Sequence, residues 1–143
     1  MLYRALLLLF LSGLLHARNI PDSLYQQFRQ KNLTGLKARV QLAKAHAAFD
    51  KDSAFHYGKL ALALGEELEN KEQYAWALNY IGSAYYYHGQ YDSAKHFHLQ
   101  ALKIRLTIDD KKGLGASYNN LGNIYDDEGD AAKALDHYQR AQD

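Results

Sequence analysis

Apolar and polar residues follow one another along this chain with the period of an α-helix, and they do so twice in the same way. In residues 77–102, Ala94, Phe97 and Ala101 recur at spacings of three and four, a narrow apolar stripe that one helix can press against another. Ahead of them, Gly82 and Tyr85 lie three apart on one helical face. The glycine admits a neighbouring helix where a Cβ would hold it off, and the tyrosine fills the space beside it. Gly89 falls between the two periodic stretches, where a left-handed residue closes a helix. About 40 residues further on, residues 117–142 repeat the pattern, with Asn119 for Asn79, Gly122 for Gly82, Tyr125 for Tyr85, Gly129 for Gly89, Ala134 for Ala94 and Ala141 for Ala101. The pattern predicts a helical hairpin, written twice. The matched residues are small or aromatic, so what recurs is a packing instruction and not a reaction centre.

A third, degenerate copy precedes these two. Residues 36–49 read as a helix with Leu36, Val40, Ala43 and Ala47 on one stripe, residues 50–53 as a turn, and residues 54–67 as a return helix. Ala54 and Ala61 stand where Ala94 and Ala101 stand later, while Leu42 and Ala45 take the places of the glycine and the tyrosine. Degeneracy is expected of an end repeat, which packs on one side only. Residues 18–32 read as a linker and a short helix capped by Asp22 or Ser23 and reaching about residue 30, after which Asn32 or Thr34 caps the next. The hairpins then divide as 33–70, 71–109 and 110–143, the last a turn shorter than its earlier copy. Such a hairpin cannot bury its apolar face alone, so the expected fold is all-α: a solenoid of antiparallel helix hairpins, about three repeats long.

The order of an aliphatic residue, glycine, tyrosine three on, a turn glycine, then alanines seven apart resembles the tetratricopeptide repeat in a variant longer than the usual 34 residues. Here it is Ile81, Gly82, Tyr85, Gly89, Ala94, Ala101, and again Leu121, Gly122, Tyr125, Gly129, Ala134, Ala141. The departures are modest: His98 stands where the second helix normally has an aromatic, restored by Tyr138, and the proline that often closes the unit is missing from both copies. The resemblance implies a right-handed superhelix whose first helices line a concave surface that holds a protein or peptide. On that basis the lining is expected to include Trp76, Asn79, Ser83, Tyr86 and Tyr87 from one copy and Asn119, Asn123, Asp126 and Asp127 from the next. Asparagine can donate to and accept from a peptide backbone, and tyrosine gives rigid contact area with a polar tip. None of these positions is lysine or arginine, which disfavours the version of the family that clamps a C-terminal carboxylate.

Residues 1–17 break the helical-hairpin pattern. Arg4 precedes an apolar run over residues 5–11, extended by residues 12–15. That is too short for a bilayer that needs about 20 residues, and its proportions fit a secretory signal peptide ending at Ala17. The expected location is therefore periplasmic or otherwise extracytoplasmic. A leader of this kind before long repeats is similar to the extracytoplasmic regions of certain bacterial sensor histidine kinases and transcriptional regulators. A sensory input domain, joined to the membrane by a span beyond Asp143, is thus the alternative to a plain interaction scaffold.

Composition narrows the chemistry. The chain has 17 basic and 16 acidic residues, and without Arg4 the balance is 16 to 16, with both signs interspersed, unlike the clustered lysine and arginine that drive nucleic-acid binding. With 0 cysteines there are no disulfides and no thiolate metal sites. His96 and His98, two apart on a helix, point about 200° from one another and cannot share an ion. Asp126, Asp127 and Glu128 lack the ligand spacing of a calcium loop and read as a solvated turn. Gly113 and Gly115 follow a helix rather than a strand, which marks a loosened helix start and not a phosphate loop. No catalytic constellation, cofactor or metal site is expected, and the chain reads as a non-enzyme.

Overall fold

The computed structural model describes residues 20–142. The signal-peptide reading of residues 1–17 lies outside them. Seven α-helices follow in order: α1 Asp22–Phe28, α2 Leu33–His46, α3 Lys51–Glu67, α4 Lys71–Tyr87, α5 Tyr91–Ile108, α6 Lys111–Asp127 and α7 Ala131–Arg140. Among the described residues there is no strand.

The helices start where short polar side chains precede them. Asn32, Asp50, Asn70, Asp110 and Asp130 each accept a hydrogen bond from the backbone N–H three residues on, at 2.9–3.1 Å. Each bond satisfies one of the orphan donors of a first turn. Asn32, not Thr34, is thus the cap of α2. The cap of α1 is Pro21, with no side-chain bond, so neither Asp22 nor Ser23 serves, and that helix ends at Phe28. The expected turn over residues 50–53 shrinks to its first residue: Asp50 bonds Ser53 through both backbone N–H and hydroxyl, which folds residues 51–53 into α3. Gly89 and Gly129 close the first helices of two hairpins at φ of 70° and 80°. Between hairpins the left-handed position falls to acidic residues, Glu69 at 51° and Asp109 at 49°.

Each helix packs on the next in sequence, and α2 also packs on α4, and α4 on α6. The backbones of the second helices α3, α5 and α7 do not pack on one another. The first helices therefore form one continuous inner layer, and the second helices stand apart outside it. The core between the layers is built of alanine with a few larger residues: Leu36, Val40, Ala61, Leu64 and Ala77 at one junction, Ala75, Leu78 and Ala101 at the next. Gly82 and Gly122 mark close approaches between the two helices of their hairpins. A Cβ on Gly82 would lie 2.9 Å from His98 Cε1, and one on Gly122 would lie 2.6 Å from a Tyr138 ring carbon. Tyr85 and Tyr125 are half-buried rather than sealed: Tyr85 sits between Phe55 at 4.6 Å and Phe97 at 5.4 Å, and Tyr125 packs on His137 at 5.0 Å. Ala94, Ala101 and Ala134 are buried, whereas Ala141 lies half-buried just past the end of α7.

Candidate peptide-binding groove

The inner layer carries a groove of about 390 Å³ between α2, α4 and the start of α6. One wall is α2, which offers Lys37, Val40, Gln41 and Lys44 at helical spacing. The floor is α4, with Gln73, Trp76 and Tyr80, and the far wall holds Asp110 and Lys112. Trp76 and Tyr80, four apart, stack at 5.7 Å with 21° between their planes. Lys44 Nζ lies 5.8 Å from the Tyr80 ring centre.

Behind this floor sits Arg105, fully buried on α5. Its guanidinium carbon is 4.3 Å from the Trp76 ring centre, a cation–π contact in a desolvated setting. Its Nη1 donates to Ser117 Oγ at 2.6 Å and to Asn79 Oδ1 at 3.3 Å, and its Nε lies 3.6 Å from Asp110 Oδ2. Burial pushes its pKa down to about 10, against the opposing pull of Asp110, so it stays charged at neutral pH. Gly113 is buried against this pair: a Cβ there would collide with Asp110 Oδ2 and Arg105 Nε, so Gly113 is a packing glycine inside α6 and not a loosened helix start. On the other side of the sheet of helices His98 is buried, and burial, reinforced by Arg105, pushes its imidazole down to about 4.

The residues expected to line the concave face divide. Trp76 lines the groove. Asn79 does not: it is 2% exposed, and its Oδ1 accepts from Arg105 and, at 3.0 Å, from Asn120, which ties α4 to α5 and α6. Ser83 turns its hydroxyl back to the Asn79 carbonyl at 3.0 Å. Asn123 is engaged by its own hairpin, accepting from the Tyr138 hydroxyl at 2.9 Å. Tyr86 donates to Asp127 on α6, and that bond, with burial, raises its pKa to about 12. Tyr87, Asn119, Asp126 and Asp127 are exposed, but none of them borders the groove. His96 is exposed and bonds Gln100 at 2.6 Å, while His98 points inward. Among the described residues no group of His, Cys, Asp or Glu is placed to hold a metal ion.

The sequence reading missed most of the wall. Lys37, Gln41 and Lys44 belong to the hairpin read as degenerate, yet their i, i+4, i+7 spacing, one residue after Leu36, Val40 and Ala43, was a signal for an open polar face beside the apolar stripe. Tyr80 stood four residues after Trp76, the spacing of a helical pair. The nine positions considered carry no lysine, but the groove itself has three, supplied by other positions.

With hairpins and inner layer in place, the repeat can be compared with known families. Residues 75–108 and 114–141 match the tetratricopeptide repeat. These two hairpins are tetratricopeptide repeats. The fold agrees with solved structures of such domains. The TPR domain of Arabidopsis FLU superimposes with a TM-score of 0.66 at 22% identity, over 74% of this chain and 90% of that one. BtubC (BKLC) from P. vanneervenii superimposes with a TM-score of 0.67 at 27% identity, over 78% of this chain and 47% of that one. Among curated proteins no sequence match is found. Tetratricopeptide domains are in general non-catalytic modules that bind proteins or peptides.

Proposed function

We propose that this chain is an interaction scaffold that holds an extended protein segment against the inner layer of α2, α4 and α6, outside the cytoplasm, as part of a larger protein. The observation that carries this reading is the groove floored by Trp76 and Tyr80. Two stacked aromatics held rigid from behind by a buried guanidinium, and open in front, supply contact area at little entropic cost. Tetratricopeptide architecture supports the class of function, and the apolar leader at residues 1–17 supports export. The chain has no cysteine, so single labels can be placed at will. A partner seated in the groove should protect Gln73→Cys from alkylation and leave Lys59→Cys, on the outer helix α3, as reactive as before. Equal reactivity of both with partner bound would refute the concave placement.

A further inference from the structure

We infer that the occupant of this groove is an acidic segment, one whose side-chain carboxylates lie along α2 while an apolar or aromatic residue rests on Trp76 and Tyr80; the inference rests on the groove reading above. Lys37, Lys44 and Lys112 line the groove from two walls, and among the described residues none of them is in an ion pair. Of the two carboxylates in the lining, Asp110 is already held by Arg105 at 3.6 Å, which leaves Glu72 against three lysines. The groove thus carries an excess of unneutralised positive charge around an apolar floor.

The spacing selects the form of the ligand. Lys37 and Lys44 stand seven residues apart on one helix, ~10 Å along its axis at about 1.5 Å per residue. One carboxylate cannot reach both. A segment in the polyproline II form, with three residues per turn and a rise of about 3.1 Å, places side chains three residues apart on one side at nearly the same separation. A run of acidic side chains therefore fits where a single chain-terminal carboxylate does not. Exposed lysines steer such a segment at long range and set the sign of the charge that is accepted, and the aromatic floor supplies most of the adhesion.

Trp76 is the chain's only tryptophan, so its emission reports on the groove directly. The full chain is titrated with three end-blocked synthetic peptides that share a Phe and Gly framework and differ only in carrying Glu, Gln or Lys at the variable positions. The Glu peptide should bind at least tenfold more tightly than the Gln peptide at low salt, with the margin shrinking as salt rises. The Lys peptide should be the weakest. In the Lys37→Glu, Lys44→Glu double variant, whose two sites are exposed and whose folding is checked by helical circular dichroism, the order should reverse. Equal affinity for Glu and Gln peptides, or preference for Lys, overturns the acidic selection and leaves the groove standing. If none of the three alters Trp76 emission up to millimolar peptide, the acidic selection and the groove reading both fall.

Discussion

At the residue scale the second and third hairpins keep the repeat by complementary size rather than by identity. Gly82 faces the His98 ring and Gly122 faces the Tyr138 ring. At the equivalent places in the first hairpin stand Leu42 on α2 and Gly58 on α3, and Gly58 instead admits Ile81 of the next hairpin, whose Cγ1 would lie 2.6 Å from a Cβ there. Leu42 reads in the sequence as the loss of a glycine, and Gly58, sixteen residues on, marks where α4 closes on α3. His98 makes the stack sensitive to acid. Its pKa is lowered from 6.5 to about 4, so between these values the unfolded chain binds a proton that the folded chain refuses. Its contribution is complete above pH 6.5 and is lost as pH falls to about 4, on the order of 3 kcal/mol. Buried His46, lowered by burial against the pull of Asp50, acts in the same direction. Denaturant unfolding from pH 7 to pH 4 should show this decline, and it should be much reduced in His98→Gln; an equal slope in both proteins would contradict it.

At the element scale the helices were legible because their signals are local. Caps, a 3.6-residue period and turn glycines act within a few residues, and α2 to α7 appear close to where those signals place them. Boundaries moved where two side chains compete to cap, as Asp50 does against the turn read from residues 50–53. The hairpin turns offer a clean measurement of backbone strain. Nothing lies within 4 Å of a Cβ built on Gly89, so Gly89→Ala meets no steric clash and pays only for its left-handed φ of 70°. It should destabilise by ~1–2 kcal/mol, and Gly89→Asn by less, since asparagine tolerates that region. Thermal unfolding of the pair decides: equal losses would mean that contacts, not φ, set the requirement.

At the scale of the whole molecule the solenoid was legible and its groove only in part. Which face of a helix meets water depends on the neighbouring hairpin, and no local rule reveals that Asn79 points into a junction or that Arg105 is sealed there. Gly65 stands at the place in the first repeat that Arg105 holds in the second, so the repeat itself disguised the substitution. Arg105 joins three helices, reaching Asn79 on α4, Ser117 on α6 and the Trp76 face. Arg105→Ala should cost about 3–5 kcal/mol, because Asp110 and Asn79 lose their buried partner. Arg105→Met, which keeps the volume, should lose less, and chemical denaturation of the two variants measures the difference.

The separation of the outer helices has a mechanical meaning. The backbones of α3, α5 and α7 stay apart, and neighbouring hairpins are joined along two seams, first helix on first helix and each second helix on the first helix that follows it. The cleft left between α3 and α5, bounded by Gly65, Tyr74 and Ile104, holds about 610 Å³. A rotation at a junction would disturb the seam of α3 on α4 or of α5 on α6 as well as the inner layer, so the curvature of that layer is held from two sides. The width of the groove, which lies on that layer, is thereby braced by the outer helices that never reach it.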